Sequence, residues 1–221
     1  MKQFFNSKTI FFSSAIILWL AAAAILSDLT EDVINADPIV NFDKYWAGIF
    51  FNWRSAFGVD FFSVVTLLGT WQLIVPVLIA VLFFVFKKYQ AFFWPFVFTL
   101  ASAESVTFIG KILVHRYRPD GAVMVESDFS FPSGHATIAV ALYGYLAYLI
   151  IKQLKIKTAR IAVLSGSLFL ILIIGFSRLY LGFHYISVVI AGYLVGLLAL
   201  ILGISFREWH TIKSNRKLSL K

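Results

Sequence analysis

The stretch from residue 160 to 181 reads RIAVLSGSLFLILIIGFSRLYL and decides the class of fold. No charged residue stands between Arg160 and Arg178. An α-helix rises about 1.5 Å per residue, so roughly twenty apolar residues cross the ~30 Å hydrocarbon core of a bilayer. The stretch has this length and therefore predicts a transmembrane helix.

Similar apolar runs recur along the chain, which is 60% hydrophobic, whereas a soluble domain is nearer half. They cover residues 10–27, 63–86, 91–114, 134–151 and 185–205. No domain linker or repeat interrupts them. The sequence thus predicts an all-α integral membrane bundle of six transmembrane helices, forming a single domain over residues 1–221. Gly192 and Gly196 form a small-xxx-small pair in the last run, which predicts that two helices approach closely there.

The basic residues orient this bundle. If both termini are cytoplasmic, thirteen of the 19 Lys and Arg residues lie on the inner side, as the positive-inside rule expects. These are Lys2, Lys8, Lys87, Lys88, Lys152, Lys155, Lys157, Arg160, Arg207, Lys213, Arg216, Lys217 and Lys221. We therefore interpret the net charge of +8 as a topology signal, and we expect no nucleic-acid partner.

The first apolar run also allows another interpretation. Lys2 and Lys8 can form the basic region of a signal peptide, and Ala21–Ala24 offers small residues for cleavage. The run is long for the apolar part of such a peptide, so we favour a membrane helix.

The connection over residues 28–62 begins with acidic residues and then becomes rich in aromatic ones. Aromatic rings with a polar edge settle at the headgroup level of a bilayer. We expect either an interfacial helix near residues 42–57 that helps a headgroup approach, or a plain aromatic belt.

Charged residues at a membrane edge are costly, which makes them functional candidates. Lys111 and Arg118 stand seven residues apart, so on one helix they would share a face, and Pro119 should end the helix close to Arg118. Two cations placed in this way can converge on one anion. The alternative is that both side chains merely snorkel to headgroups.

A second group of polar residues precedes the apolar run at 134–151. We expect Ser133 to be an N-cap, and unpaired backbone N–H groups at a helix start bind anions. Gly134 lets an oxyanion come close to the backbone, and His135 could donate a proton. The alternative is an ordinary capped helix with an incidental histidine.

A third group ends the run at 160–181. Arg178 and His184 are six residues apart and do not share a face of a straight helix. We expect Gly182 to end the helix, so that His184 can turn back towards Arg178. This histidine is then either a nucleophile or a headgroup contact.

All three groups fall on the outer side of the predicted bundle, where together they suit a phosphoryl group. Cations bind its oxygens, one imidazole attacks, and the other protonates the departing alcohol. The chain contains no cysteine and no His, Asp and Glu cluster with metal-ligand spacing, so we expect neither a metal nor another cofactor. Asp120, Glu126 and Asp128 are scattered in a loop, and we interpret them as solvated.

These three groups resemble, in order and spacing, the three-part signature of the type 2 phosphatidic acid phosphatase superfamily. The resemblance implies a membrane-bound lipid phosphatase that needs no metal. It implies that His184 is the nucleophile that forms a phosphohistidine and that His135 is the general acid. The phosphate would be held by Lys111, Arg118 and Arg178, with Ser133 and Gly134.

Bacterial relatives of this size dephosphorylate undecaprenyl pyrophosphate, phosphatidylglycerol phosphate or phosphatidate. The resemblance therefore implies a lipid phosphate substrate, the bacterial plasma membrane and an active site on its outer face.

One residue departs from the signature. The family has an aspartate four residues after the nucleophilic histidine, and this chain has Val188. In a serine-protease triad, loss of the matching carboxylate costs on the order of ten-thousandfold in rate. Two alternatives to an active hydrolase therefore stand. One is a weakened relative, natural or altered at this position, that still binds lipid phosphate, and the other is a lipid phosphotransferase.

Overall fold

The computed structural model describes residues 2–36, 38–70 and 90–219, and these residues form helices and connections without a strand. The helices are α1 (Lys2–Ile34), α2 (Pro38–Asn52), α3 (Ala56–Leu67), α4 (Gln90–Val114), α5 (Gly134–Gln153), α6 (Lys157–Tyr180) and α7 (Ile186–Ser219). The all-α prediction is confirmed for this part of the chain.

Within the described ranges, five helical stretches are long and apolar enough to cross a membrane. They are Lys8–Ile34, Phe92–Val114, Gly134–Gln153, Lys157–Tyr180 and Ile186–Thr211. The predicted segment 63–86 begins in the short apolar helix α3, but residues 71–89 lie outside the described residues. The molecule is thus a multi-pass helical membrane protein, and the sixth span stays a prediction.

The connection expected over residues 28–62 is largely helical. α1 continues through the acidic residues to Ile34, because no proline or glycine interrupts it before Pro38, which opens α2. The aromatic helix expected at 42–57 is α2, at 38–52. It ends earlier than expected because the chain turns before Ser55, whose side chain accepts a hydrogen bond from the Gly58 N–H and caps α3.

Helix α5 is the centre of the bundle and packs against α4, α6 and α7. Its buried residues include Ile138, Leu142 and Tyr145, which pack with Phe96 of α4 and Ala199 of α7. In contrast, α1 exposes large apolar side chains such as Ile17 and Leu20. Exposed apolar side chains of this kind are expected where a helix faces lipid.

Gly192 and Gly196 bring α7 against α5, as predicted. A Cβ at Gly192 would lie 2.5 Å from the Ser133 carbonyl oxygen, and one at Gly196 would lie 2.5 Å from the Thr137 carbonyl oxygen. The Thr137 hydroxyl also donates to the Gly192 carbonyl at 3.0 Å. This close contact fixes the start of α5, where the second polar group of the sequence lies.

Candidate active site

A cavity of about 390 Å³ lies at one end of the bundle, between the C-terminal part of α4 and the start of α5. It is lined by Gly69, Thr70, Glu104, Thr107, Phe108, Lys111, Arg118, Glu126, Asp128, Gly134, His135 and His184. Five of the seven predicted site residues are in this set. The other two, Ser133 and Arg178, are buried. Ser133 directly precedes Gly134 in the chain, and Arg178 pairs with Glu126 of the cavity lining.

The first polar group reaches the cavity in a different way from the one predicted. α4 ends at Val114, because His115 has a positive φ of 50°, so Arg118 does not lie on the helix. The expectation that Pro119 ends the helix near Arg118 is therefore wrong. The chain beyond is braced instead by Ser130, whose backbone N–H donates to the Arg116 carbonyl at 2.8 Å.

Lys111 and Arg118 nevertheless converge on one anion, the carboxylate of Asp128. Lys111 donates to Asp128 Oδ2, and Arg118 Nη2 lies 2.5 Å from Asp128 Oδ1. Arg118 Nη1 also donates to the Phe183 carbonyl at 2.9 Å, which joins the first polar group to the third. The two cations can therefore hold two oxygens of one bound anion.

The second polar group starts α5, with Ser133 as its N-cap as predicted. The Ser133 hydroxyl accepts from the Ala136 N–H at 3.5 Å, and the Ser133 N–H donates to the Val188 carbonyl at 3.1 Å. Ser133 is fully buried, so its hydroxyl serves the helix, while Gly134 and His135 line the cavity. The start of a long helix thus faces the same space as the cations.

The third polar group turns at Gly182, also as predicted. Gly182 has a φ of 76°, its N–H donates to the Leu179 carbonyl, and the Phe183 N–H donates to the Arg178 carbonyl. This pair of bonds is a Schellman motif, which ends α6 and reverses the chain. The His184 N–H then donates to the Arg178 carbonyl at 3.3 Å, so the backbone of His184 returns to Arg178.

The Arg178 guanidinium is almost completely buried. Nη1 donates to the Thr66 hydroxyl at 3.1 Å, and Nη2 lies 2.5 Å from Glu126 Oε1. Its carbon atom Cζ stands 4.0 Å from the centre of the Phe183 ring. Its Nε atom is buried and has no hydrogen-bond partner among the described residues.

Glu126 and Asp128 are not simply solvated, and that expectation is wrong. Glu126 bridges Arg118 and Arg178, while Asp128 bridges Lys111 and Arg118. Burial alone would raise the pKa of Asp128, but hydrogen bonds and charge from Lys111 and Arg118 hold it below its usual value. Two carboxylates thus occupy the positions where an anionic group would meet the three cations.

His184 is 3% exposed. The pKa of His184 is held well below its usual value, mainly because the ring is buried and also because the Arg178 and Arg118 cations are near. The ring is therefore neutral near pH 7, which is the form that can act as a nucleophile. Its Nδ1 atom is buried and has no hydrogen-bond partner in the described part of the chain.

Val188 explains why no carboxylate of the third polar group serves that nitrogen. Its side chain is fully buried in an apolar cluster with Val33, Phe131 and Ala191. Only its carbonyl takes part in a polar contact, by accepting the Ser133 N–H. An apolar side chain packed in the core therefore stands where a carboxylate was expected.

Several residues of the site were not identified from the sequence. Thr66 contacts Arg178, and the buried Gly69 lies against His135, since a Cβ there would stand 3.2 Å from His135 Cδ2. Both are in or just after α3, far from the three polar groups in sequence. Their residue types and spacing carry no signal that predicts these contacts.

Comparison with known proteins gives concordant matches. Residues 92–212 match the sequence description of the PAP2 superfamily. Phosphatidylglycerophosphatase B of Bacillus subtilis is 31% identical over 151 residues, which cover 65% of this chain and 72% of that protein. Lipid phosphate phosphatase delta of Arabidopsis thaliana is 30% identical over 83 residues, 37% of this chain and 20% of that protein.

Solved structures share the fold. A transmembrane PAP2-type phosphatidylglycerolphosphate phosphatase from Bacillus subtilis superposes with a TM-score of 0.79 at 25% identity, over 86% of this chain and 96% of that one. LpxE of Aquifex aeolicus superposes with a TM-score of 0.58 at 20% identity, over 74% and 95% of the two chains.

Proposed function

Because the chain belongs to the PAP2 superfamily, we propose that it is a phosphatase that hydrolyses the phosphate of a membrane lipid at the described cavity. The observation that carries this proposal is the meeting of two cations, one helix start and two histidines around a space of about 390 Å³, with the buried Arg178 paired to Glu126 of its lining. Such a set suits a transferring phosphoryl group, whose charge needs fixed donors and whose leaving group needs a proton.

In the proposed reaction, the neutral imidazole of His184 attacks phosphorus and the P–O bond to the lipid breaks. His135 gives its proton to the departing oxygen, so the lipid alcohol leaves uncharged. Water, deprotonated by His135, then attacks the phosphohistidine, the P–N bond breaks, and inorganic phosphate forms. Lys111, Arg118 and Arg178 hold the phosphate oxygens, aided by the helix start at Ser133 and Gly134.

The proposed substrate is phosphatidylglycerol phosphate, with undecaprenyl pyrophosphate and phosphatidate as the alternatives. The names of the Bacillus subtilis relatives support this choice. The cavity lies at the ends of membrane-spanning helices, which is the depth of a lipid headgroup. We also propose the bacterial plasma membrane as the location, with both termini in the cytoplasm and the site on the outer face.

We propose further that the reaction needs no metal, since Lys and Arg side chains supply the positive charge around the cavity. Excess chelator should leave the rate of phosphate release unchanged. A loss of rate that a divalent cation restores would contradict this part of the proposal.

A weakened lipid-phosphate binder is a second candidate, and one observation favours it. His184 Nδ1 has no partner within the described residues, and Val188 cannot supply one. A neutral ring without an acceptor is less firmly oriented and gains less from becoming an imidazolium. Such a protein would bind the lipid phosphate but turn it over slowly.

The experiment measures phosphate release from the three candidate lipids in detergent, with and without an added acceptor lipid. Release from one or more of them supports the hydrolase. A phosphorylated acceptor lipid identifies a transferase instead. Binding of the lipids without release or transfer identifies the weakened binder.

A further inference from the structure

Asp43 is a fully buried carboxylate on α2, 1% exposed, and lies outside the region that matches the superfamily. Its Oδ1 accepts from the Ser187 backbone N–H at 3.0 Å, and its Oδ2 pairs with Arg116 Nη2 at 2.6 Å. The Ser187 hydroxyl contacts the same carboxylate and also accepts from Arg116 Nη1 at 2.6 Å. Three hydrogen-bond donors, one of them the cationic Arg116, thus contact the buried carboxylate.

Asp43 performs for α7 the role that an N-cap residue usually performs. The first N–H groups of a helix have no partner within it, and a carboxylate there is also favoured by the helix dipole. The Val189 N–H donates to the Tyr185 carbonyl, so Tyr185 holds the cap position, and a tyrosine side chain cannot cap. Asp43, from another helix, accepts the Ser187 N–H in its place.

His184 immediately precedes this cap. On its other side, the Phe183 carbonyl accepts from Arg118, and the N–H groups of Phe183 and His184 donate to Arg178. Arg116, the partner of Asp43, stands two residues before Arg118. The carboxylate therefore fixes the far end of the short segment that carries His184 and connects it with the segment that carries Arg118.

We propose that Asp43 is a positioning residue for the reaction, which holds the backbone at His184 through the Ser187 N–H. At position 188 the family has a carboxylate that would orient the histidine through Nδ1. Asp43 takes over part of this role by holding the backbone next to His184. The inference rests on the proposed function of the site. It also gives α2 a role beyond that of an aromatic belt.

Two double variants separate positioning from loss of charge. Asp43→Leu with Arg116→Met removes the ion pair and the acceptor for the Ser187 N–H. Asp43→Asn with Arg116→Gln removes the charges but keeps an oxygen that can accept this N–H. Replacing a whole buried ion pair by apolar groups is often neutral for stability, whereas removing one partner is not.

We expect the Leu/Met variant to lose about tenfold to a hundredfold in kcat at unchanged KM, as small misplacements of a reacting group can cost. The Asn/Gln variant should keep kcat within about threefold of the unaltered chain, which is the scale of one weakened hydrogen bond. Turnover of the Leu/Met variant at the unaltered rate, or equal losses in both variants, would overturn the inference. So would a loss that appears in KM alone.

If the Leu/Met variant does not fold, Asp43→Glu tests the same claim. It keeps the charge but moves the carboxylate by one methylene, so kcat should fall at unchanged KM, and an unchanged kcat would overturn the inference. Absence of phosphate release by the unaltered chain would contradict the proposed function, and the inference with it. Normal release by both the unaltered chain and the variants would overturn the inference alone.

Discussion

At the scale of single residues, the site contains a buried histidine whose Nδ1 atom has no hydrogen-bond partner in the described part of the chain. His184 is neutral because it is buried beside cations, yet its Nδ1 lacks a partner within the described residues. Val188 fills the position of the family's carboxylate with apolar packing. The proposed nucleophile is thus neutral, and hydrogen bonds to the Arg178 carbonyl and to Asp43 hold the backbone on its two sides.

Val188→Asp should raise kcat by about tenfold or more, since a carboxylate can accept from the ring and stabilise the imidazolium. The melting temperature should fall, because the new carboxylate enters a cluster with Val33, Phe131 and Ala191. Phosphate release and thermal unfolding measure the two effects.

Val189→Asp is the matched control, as its side chain is also buried but stands one helical step away. It should lose stability without gaining turnover. An unchanged or lower kcat in a folded Val188→Asp protein would show that His184 needs no acceptor at this position.

Asp128→Asn tests whether the loop carboxylates compete with phosphate for the cations. Asp128 is 52% exposed and bridges Lys111 and Arg118, and an exposed pair of this kind contributes about 0.2–1 kcal/mol. The inhibition constant for inorganic phosphate should therefore fall by no more than about fivefold. The control is Asp120→Asn, an exposed loop residue that does not line this cavity, and a weaker inhibition by phosphate in Asp128→Asn would contradict the competition.

At the scale of helices, the close contact of α5 and α7 holds the second and third polar groups together. Gly192→Ala places a Cβ 2.5 Å from the Ser133 carbonyl oxygen and 2.9 Å from the Ala136 Cβ, neither of which can rotate away. The helices must separate, which typically costs about 1–3 kcal/mol and outweighs the gain in helix propensity of about 1 kcal/mol. Both the melting temperature and phosphate release should fall.

Gly166→Ala is the control for this helix contact, because a Cβ on Gly166 meets no atom within 4 Å. It should leave activity unchanged and stability unchanged or higher. Equal behaviour of the two variants would mean that the contact at Gly192 does not position the site.

The helices and turns that follow from local chemistry could be predicted from the sequence. Apolar runs, the Ser133 cap and the Gly182 turn depend on neighbours within a few residues. The apolar run at 91–114 ends with α4, but the position of Arg118 beyond the helix was not predicted, because His115 turns the chain where Arg116 pairs with Asp43, which lies on another helix. For the same reason the pairs of Glu126 and Asp128 with the cations escaped the sequence analysis.

At the scale of the whole molecule, the two ends of the bundle differ. The cavity lies at one end of the bundle, and the connection between α5 and α6 at Lys155 lies at the opposite end of α5 from His135. The basic residues predict that the Lys155 end faces the cytoplasm. The orientation therefore decides whether lipid phosphates of the outer leaflet can reach the site.

A chain without cysteine is well suited to a test of this orientation. In intact cells, a membrane-impermeant maleimide should label Val125→Cys, which is 98% exposed in the loop that carries Glu126 and Asp128, and not Lys155→Cys. After the cells are permeabilised, both should react. Labelling of Lys155→Cys alone in intact cells would reverse the proposed topology.

The central claim is that His184 carries the phosphoryl group, and acid-labile phosphate on the protein tests it most directly. Radiolabelled lipid phosphate is mixed with the protein, the reaction is stopped with denaturant, and the labelled peptide is identified. The account predicts label on the peptide that contains His184 in the unaltered chain, with neither label nor phosphate release in His184→Ala. Undiminished phosphate release by a folded His184→Ala protein would contradict it.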